Sequence, residues 1–290
     1  MTNLHGKTIF ITGASRGIGR EIALRCARDR AQLVITGKTA EKHRKLPGTI
    51  HSVAAEVEQA GGRALALQLD VRDEQALQAA VEEAARHFGG IDVLVNNASA
   101  ISLTNTLDTT AKRLDLMWQV NMRATFLAAQ ACIPFLKRSA NPHILTLSPP
   151  LNLDAKWFAP HLAYSISKYG MSLCTLGMAR EFANDGIAVN CLWPRTTIAT
   201  AAIRNLLGGE KLMRMSRTPE IMGDAAHAIL TQDARRFTGR FCIDDSLLYE
   251  QGVRDFEKYR VDRGAELAPD FFVPDGLPPP PGVKLAARTR

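Results

Sequence analysis

The chain has 290 residues and a formal net charge of +7, and 46% of its residues are apolar. This length suits one α/β domain with an appendage, and the apolar fraction excludes global disorder. No stretch approaches the roughly 20 consecutive apolar residues that a membrane-spanning helix needs. The cationic residues form local clusters with few aromatic residues between them. This pattern favours a solvated surface or an anionic small ligand over nucleic acid.

The two termini and the cysteines bear on the cellular compartment. The N-terminus enters a predicted strand almost at once and leaves no room for a secretory signal, and the final residues, 288–290, differ from the Ser-Lys-Leu peroxisomal address. The five cysteines are widely scattered and lack the spacing of a metal site. We therefore expect free thiols in a reducing compartment, the cytoplasm, and no bound metal. The cysteines are Cys26, Cys132, Cys174, Cys191 and Cys242.

The first predicted unit is a strand, a glycine-rich loop and a helix. The strand covers residues 7–12, and the loop reads Gly13-Ala14-Ser15-Arg16-Gly17-Ile18-Gly19. Three glycines let the backbone turn tightly and approach a pyrophosphate, whose charge the N-terminus of the following helix favours. The spacing Gly-x-x-x-Gly-x-Gly differs from the usual dinucleotide fingerprint, so the loop alone is modest evidence. Its position between a strand and a helix strengthens the prediction of a nucleotide site. A tight turn without a ligand is the alternative.

The second predicted strand, residues 32–36, ends next to a basic residue. Lys38 stands about where an NAD-binding unit places an acidic residue on the ribose hydroxyls. Arg16 lies within the glycine loop, and residues 42–45 are also basic. These charges suit a ribose 2′-phosphate and predict NADP(H) rather than NAD(H). Lys38 and Arg16 are the stronger candidates, because residues 42–45 also fit a solvated loop.

Helices and strands continue to alternate through residue 243. This alternation predicts an α/β fold, with a single Rossmann-type, doubly wound parallel sheet of about seven strands in a domain of residues 1–245. Residues 246–290 form a charged, proline-rich extension that could lie over a pocket or a neighbouring subunit, or be partly disordered. The predicted strands after the second cover 64–69, 91–95, 144–148, 187–192 and 237–243. The predicted helices cover 20–31, 52–60, 74–88, 111–136, about 164–185 and 218–230.

Polar residues follow several of the predicted strands. Asp70 and Val71 come directly after the third strand, where Asp70 could bind an adenine amino group or cap the next helix. Asn97 and Ala98 follow the fourth strand, at the sheet edge where ligands bind in such folds. Asn121 lies inside an apolar helix, where its amide needs a partner or a water molecule.

Tyr164 and Lys168 stand four residues apart and share one face of a predicted helix. The reference pKa of a phenol is about 10, and a nearby ammonium lowers it. The pair could therefore exchange a proton with a substrate near pH 7. By spacing alone, a solvated helix surface is the commoner explanation.

Taken in order, these motifs resemble the short-chain dehydrogenase/reductase family over roughly residues 5–245. A closer resemblance is to the hydroxysteroid dehydrogenase-like proteins of the "like 2" group, whose animal members carry a further sterol-carrier domain and a peroxisomal address beyond the end of this chain. The closer resemblance rests on residues 37–40, 99–109, 147–153 and 267–272. Neither lipid handling nor that location is expected to carry over.

The resemblance implies hydride transfer between a nicotinamide cofactor and a carbonyl or alcohol on a largely apolar small molecule. Tyr164 would give its proton to the carbonyl oxygen, Lys168 would bind the nicotinamide ribose and lower the tyrosine pKa, and Asn121 would hold a relaying water. It also implies a homodimer or homotetramer paired through the helices of Asn121 and Tyr164. The implied cofactor-binding residues are Gly13, Ser15, Arg16, Gly17, Ile18, Gly19, Lys38, Asp70, Val71, Asn97, Ala98 and Lys168.

The chain departs from the family pattern at two positions. Ser99 replaces a glycine, which we expect to be tolerated because serine is small. The family serine that orients the substrate oxygen aligns with Pro149, and Ser148 stands one place earlier. Ser148 is the candidate for the catalytic role, although a one-residue shift along a strand points a side chain to the opposite face. A serine that bonds the turn at the strand end is the alternative.

An inserted segment precedes the Tyr164 helix. Its Trp157 and Phe158 could line or cap the substrate pocket, or serve as an ordinary hydrophobic anchor for the loop. His161 is expected to be a surface histidine.

Three functions compete. The first is an NADP(H)-dependent reductase or dehydrogenase, and the second is a nucleotide-binding sensor or assembly partner with weak or no catalysis, suggested by Pro149. Nucleic-acid binding from the net charge is the weakest.

Overall fold

The computed structural model describes residues 3–42 and 46–287, and a seven-stranded parallel sheet forms its centre. The strand order is β3-β2-β1-β4-β5-β6-β7, with every pairing parallel. The predicted doubly wound Rossmann-type fold is therefore confirmed. The strands are β1 (Thr8–Ile11), β2 (Gln32–Gly37), β3 (Arg63–Gln68), β4 (Val93–Asn96), β5 (His143–Thr146), β6 (Ala188–Trp193) and β7 (Phe241–Ile243).

Helices cover both faces of the sheet, which explains why its central strands are continuous apolar runs. One apolar cluster joins the sheet to α1, α2 and α8, and a second joins it to α3, α5 and α6. The strand order reverses between β1 and β4, and such a reversal opens a crevice at the carboxyl ends of the strands. The helices are α1 (Gly17–Ala27), α2 (Ile50–Gln59), α3 (Glu74–Phe88), α4 (Ala111–Met117), α5 (Ala124–Leu136), α6 (Leu162–Glu181), α7 (Gly209–Arg214), α8 (Glu220–Leu230) and α9 (Asp244–Glu250).

Local sequence signals set the ends of α3, whose predicted bounds agree with the structure. The Asp73 side chain accepts a hydrogen bond from the backbone N–H of Ala76 at the start of the helix, and Gly89 ends it in the left-handed conformation, with φ of 86°. Asp73 is therefore the helix cap, and the prediction that Asp70 could play this part is wrong.

Most predicted bounds differ from those in the structure by one to four residues, and in addition one predicted helix is interrupted and one predicted strand loses more than half of its length. The helix expected over residues 111–136 is interrupted by a π-helical turn, Trp118–Arg123, between α4 and α5. Strand β7 is shorter than the predicted 237–243, because Gly239 turns the chain with φ of 71°. The residues before β7 still bond to β6, since the N–H of Gly239 donates to the carbonyl of Val189 at 2.9 Å.

The described part of the C-terminal extension packs on the domain. It begins within α9 and continues mainly as irregular chain, and it lies over the carboxyl ends of β5 and β6, where Pro269 and Phe271 line a cavity. The buried Arg195 secures it, since Arg195 Nη2 donates to Ser246 Oγ at 2.6 Å and Arg195 Nη1 donates to the carbonyl of Leu277 at 2.8 Å. Its buried residues include Phe256, Tyr259, Leu267, Ala268, Phe272 and Val273.

Within residues 3–42 and 46–287, no helix combines the length and the apolarity needed to cross a bilayer. All five cysteines are free thiols, and Cys26, Cys132 and Cys191 are buried.

Candidate active site

Two adjoining cavities lie at the carboxyl edge of the sheet. The first, of about 590 Å³, lies over the ends of β1, β2, β3 and β4, and the second, of about 290 Å³, lies over β5 and β6. Both are lined by Ile18, Asn97 and Ser99, so they meet above β1 and β4. A separate cavity of about 490 Å³ lies at the amino edge and contains none of the predicted site residues.

The predicted cofactor-binding residues gather mostly around the first cavity. Lys168 lines the second cavity instead, and Gly19 lines neither. Those that line the first cavity are Gly13, Ser15, Arg16, Gly17, Ile18, Lys38, Asp70, Val71, Asn97 and Ala98.

The glycine loop packs closely against the segment that follows β4. A Cβ at Gly19 would lie 2.5 Å from Asn97 Nδ2, and one at Gly13, whose φ is 68°, would lie 2.9 Å from Ala98 Cα. The Asn97 amide donates to the carbonyls of Thr12 and Gly13, both at 2.9 Å. Two of the glycines are thus required by contact with another part of the protein, which spacing along the chain does not reveal.

The N-terminus of α1 opens toward the first cavity. The helix begins at Gly17, its first turn has no acidic residue, and Arg16 at the cap position makes no side-chain capping bond. The first N–H groups of such a helix are available to an anion, and the helix dipole favours negative charge there. The loop and the helix end therefore fit the pyrophosphate of a dinucleotide.

Three basic side chains line the far end of the first cavity: Arg16, Lys38 and Arg72. Arg16 Nη2 donates to Thr39 Oγ1 at 2.9 Å, and burial lowers the pKa of Arg16. Lys38 is 63% exposed at its side chain, and its Nζ lies 3.0 Å from Asp70 Oδ2.

The carboxylate of Asp70 is engaged by these basic groups. Arg72 Nε donates to both of its oxygens, at 3.0 and 3.1 Å. The hydrogen bonds from Arg72, followed by the contact with Lys38, hold the pKa of Asp70 well below its usual range. Sequence reasoning missed Arg72, although its place two residues after Asp70 suits such a turn. Of the basic segment predicted at 42–45, Lys42 is exposed and residues 43–45 lie outside the described residues.

Asn121 lies in the π-helical turn between α4 and α5, and its side chain is fully bonded. Its Oδ1 accepts the N–H of Ala100 at 2.7 Å, while its Nδ2 donates to the carbonyl of Ala100 at 3.0 Å and to Ser167 Oγ at 2.8 Å. The partner expected for a buried amide is therefore present. Asn121 ties the segment after β4 to α6, the helix that presents Tyr164. π-helical turns often mark functional sites.

Tyr164 and Lys168 both line the second cavity from α6, as their spacing predicts. Burial raises the pKa of Tyr164 well above its usual value, and the negative charge of Asp270 raises it further. Burial lowers the pKa of Lys168 to about 7, with Cys191 and Asp270 acting in the opposite direction. The expectation that Lys168 lowers the Tyr164 pKa is not met in this structure, because burial dominates.

The ammonium group of Lys168 lies between polar and aromatic partners. Its Nζ donates to the carbonyl of Leu147 at 2.5 Å and lies 3.4 Å from Met171 Sδ. The ring of Trp193 is 5.1 Å away, within the range of a cation–π contact. Leu147, at the end of β5, therefore helps to position Lys168 through its backbone.

Ser148 does not reach the second cavity. Its side chain is fully buried, and its Oγ lies 2.9 Å from Cys191 Sγ on the neighbouring strand. Leu147, one residue earlier, lines the cavity instead, as the alternation of side chains along a strand requires. This position does not support the catalytic role predicted for Ser148. Ser99 lines both cavities.

The aromatic residues of the inserted segment pack near the second cavity without lining it. Trp157 is 6% exposed and its ring lies 5.9 Å from that of Phe272, while neither Trp157 nor Phe158 lines the second cavity. Both residues therefore match the alternative of a hydrophobic anchor. The surface position expected for His161 is wrong, because this residue is 6% exposed and its ring packs against Phe271 at 5.0 Å.

The C-terminal extension contributes residues that sequence reasoning did not assign to the site. Asp270 and Phe271 line the second cavity, and the buried ring of Phe272 lies 6.1 Å from that of Tyr164. The run Leu267–Phe272 contributed to the family resemblance, but no local pattern indicates that it folds back over α6.

Comparisons with known proteins agree with this geometry. A family model described as short chain dehydrogenase matches residues 7–208. Hydroxysteroid dehydrogenase-like protein 2 of Xenopus laevis is 57% identical over 270 residues, which are 93% of this chain and 64% of that protein. The chain thus spans slightly less than two thirds of the length of this curated relative.

Solved structures give the same result. The crystal structure of a short chain dehydrogenase from Mycobacterium thermoresistibile has a TM-score of 0.90 at 48% identity, covering 98% of this chain and all of that one. A metagenomic short-chain oxidoreductase in complex with NADP has a TM-score of 0.68 at 25% identity, covering 83% of this chain and 97% of that one. The sheet order, the ordered motifs and these matches lead to one conclusion: the chain belongs to the short-chain dehydrogenase family of nicotinamide-dependent oxidoreductases.

Proposed function

We propose that the chain is an NADP(H)-dependent oxidoreductase that interconverts a carbonyl and an alcohol on a largely apolar small molecule. The observation that carries this proposal is the junction of the two cavities. A groove suited to a dinucleotide meets a second cavity, and that cavity presents Tyr164 and Lys168 among mainly apolar walls. Apolar lining with a few converging polar groups is typical of small-molecule sites.

The residues of the first cavity would hold the cofactor. The glycine loop and the N-terminus of α1 would bind the pyrophosphate, and Lys38, Arg16 and Arg72 would surround a ribose 2′-phosphate. The NADP complex of the metagenomic relative supports this cofactor choice. Lys38 already contacts Asp70, so a 2′-phosphate would share its charge with that carboxylate.

The bound nicotinamide would supply or accept the hydride, and the protein would supply the proton and the positioning. The Tyr164 hydroxyl would donate its proton to the substrate oxygen in reduction and accept it in oxidation. Lys168, whose pKa is lowered to about 7 by burial, would contribute its positive charge beside the cofactor ribose at and below neutral pH. Asn121, already bonded to Ala100 and Ser167, would keep α6 in register with the segment after β4.

Replacing Tyr164 by phenylalanine tests the proton-transfer role. We expect Tyr164→Phe to lower turnover with NADPH and a panel of apolar carbonyl compounds by about 100-fold or more, the usual contribution of general acid catalysis. Tyr249→Phe is the matched control, because Tyr249 lies on α9 and does not line the cavity. Equal turnover in wild type and Tyr164→Phe would refute the assignment.

Calorimetry tests the cofactor choice. Wild type should bind NADPH more tightly than NADH, and Lys38→Asp should narrow that preference by about tenfold, because a carboxylate there repels the 2′-phosphate. Lys258→Asp, at an exposed lysine that does not line the first cavity, controls for the same change of surface charge. A wild type without preference would defeat the NADP(H) proposal.

A second function, nucleotide binding with weak or no catalysis, is favoured by the burial of Ser148 and by Pro149 at the family serine position. Such a sensor or assembly partner would bind NADPH and transfer no hydride to any member of a broad carbonyl panel. One robust turnover that depends on Tyr164 would rule it out.

We also propose that the chain forms a homodimer or homotetramer through the faces of α5 and α6. Phe126 on α5 and Leu173 and Leu176 on α6 are large apolar residues that are 48%, 57% and 49% exposed. Light scattering after size exclusion measures the mass, and Leu173→Glu should shift it toward that of the monomer.

The five free thiols support the cytoplasm as the proposed compartment. The division into a domain of residues 1–245 and an extension of 246–290 remains a proposal.

A further inference from the structure

Asp270 enters the active-site region from a distant part of the chain. Its backbone N–H donates to the carbonyl of Arg195 at 2.9 Å, just beyond β6. One residue further, the carbonyl of Phe271 accepts the indole N–H of Trp193 at 2.8 Å. These two hydrogen bonds fix the backbone on both sides of the Asp270 side chain. The position of its carboxylate is therefore built into the fold.

The carboxylate itself is oriented by a backbone bond. Asp270 Oδ1 accepts the N–H of Phe271 at 2.6 Å. Asp270 lines the same cavity as Tyr164 and Lys168, and among the described residues lining that cavity Lys168 and Asp270 are the charged ones. An apolar cavity strengthens the interaction between charges, because water screens them less.

Other groups of the described residues also face the Tyr164–Lys168 pair, and none of these is a carboxylate. The thiol of Cys191, whose pKa burial raises to about 11, is neutral near pH 7. The ring of His161 lies 6.1 Å from that of Tyr164, and burial lowers its pKa, so the neutral form is favoured. Among the described residues, Asp270 is thus the carboxylate that lines the cavity together with both members of the pair, and its negative charge raises the pKa of each.

We propose that Asp270 is a positioning residue that keeps Tyr164 as a phenol and Lys168 as an ammonium ion, so that the C-terminal extension favours carbonyl reduction over alcohol oxidation. A negative charge disfavours a nearby phenolate and favours a nearby ammonium ion, so one carboxylate acts on both groups in the required direction. The phenol is the form that donates a proton in reduction. This inference rests on the function proposed above, and its test separates the two.

The test is Asp270→Asn in the full chain. Asparagine keeps an oxygen that can accept the Phe271 N–H and removes the negative charge. Without that charge the pKa values of Tyr164 and Lys168 both fall. We expect the pH profile of alcohol oxidation to move about one unit toward acid, which raises oxidation about tenfold at a pH below its rising limb.

A second measurement does not depend on turnover. NADPH affinity should weaken as Lys168 loses its proton, and Asp270→Asn should move that transition about one pH unit toward acid. Fluorescence titrations with NADPH at a series of pH values between about 5.5 and 9 would record this transition. Asp270→Glu should restore the wild-type position of both transitions. Asp255→Asn, an exposed carboxylate of the same extension, should leave both unchanged.

The outcomes distinguish the inference from the proposed function. Turnover with unshifted pH profiles in Asp270→Asn would overturn the role of Asp270 and leave the oxidoreductase function standing. If wild type transfers no hydride, the proposed function fails, and the NADPH titration still decides whether Asp270 controls the charge of Lys168. If Asp270→Asn does not fold, Asp270→Ser, which also removes the charge and retains an acceptor oxygen, replaces it in both measurements.

Discussion

Phe272 is the residue of the C-terminal extension whose truncation should cost most. Its side chain is fully buried, with ring centroids at 5.4 Å from Tyr169, 5.8 Å from Trp193 and 6.1 Å from Tyr164. Cutting a buried phenylalanine back to alanine costs about 3–5 kcal/mol. The backbone adds a second effect, because Phe272 has a φ of 65°, where a non-glycine residue costs roughly 1 kcal/mol more than glycine.

We therefore expect Phe272→Ala to lower the free energy of unfolding by about 4 kcal/mol. Phe272→Gly should be no less stable than Phe272→Ala, although glycine is usually worse than alanine by about 0.5–1 kcal/mol within regular structure. Urea denaturation followed by circular dichroism gives both values. Leu107→Ala is the control, since Leu107 is 96% exposed and its truncation should cost less than about 0.5 kcal/mol.

Two results would refute this reasoning. A loss below about 1 kcal/mol in Phe272→Ala would mean that the extension does not pack into the aromatic cluster. A Phe272→Gly variant less stable than Phe272→Ala by about 1 kcal/mol would mean that the backbone at this position is not left-handed.

Three further predictions follow from buried contacts. Gly19→Ala places a Cβ 2.5 Å from Asn97 Nδ2, so calorimetry should show NADPH affinity reduced by at least about tenfold, whereas unchanged affinity would contradict the close packing. Asn121→Ala removes three hydrogen bonds and should cost about 3 kcal/mol in urea unfolding; a loss below about 1 kcal/mol would mean that these bonds are replaced by water. Burial lowers the pKa of His143 to about 4, below the value of about 6.5 in the unfolded chain, so the stability it contributes is present above pH 6.5 and declines as pH falls toward 4. Between about pH 7.5 and pH 5, wild type should therefore lose about 2 kcal/mol more of its free energy of unfolding than His143→Gln does. An identical loss in both proteins would refute the assignment.

Local spacing was sufficient to predict most of the fold. Period-two apolar runs and helical periodicity are properties of neighbouring residues, so the alternation of strands and helices and the bounds of α3 follow from them. The pairing of Tyr164 with Lys168 on one face is likewise a consequence of helical geometry. The glycine loop after β1 and the basic residue after β2 could be assigned to a nucleotide site from sequence for the same reason. Each lies at a defined place within one strand–loop–helix unit.

Contacts between distant segments could not be read in this way. The direction of the Ser148 hydroxyl depends on strand pairing with Cys191, and the close fit of Gly19 depends on Asn97. Burial, which is a property of the packed molecule, reverses the expected direction of the Tyr164 pKa shift.

The sequence by itself determined the family, the parallel sheet and the placement of Tyr164 and Lys168 on one helix face, because these follow from spacing within and between consecutive elements. Tertiary structure decided what surrounds that pair. It buries Ser148 away from the cavity and brings Asp270 and Phe272 from the extension to the side of Tyr164. A chain folds back over a site through long-range packing and backbone hydrogen bonds, and neither leaves a periodic trace in the residues that make them.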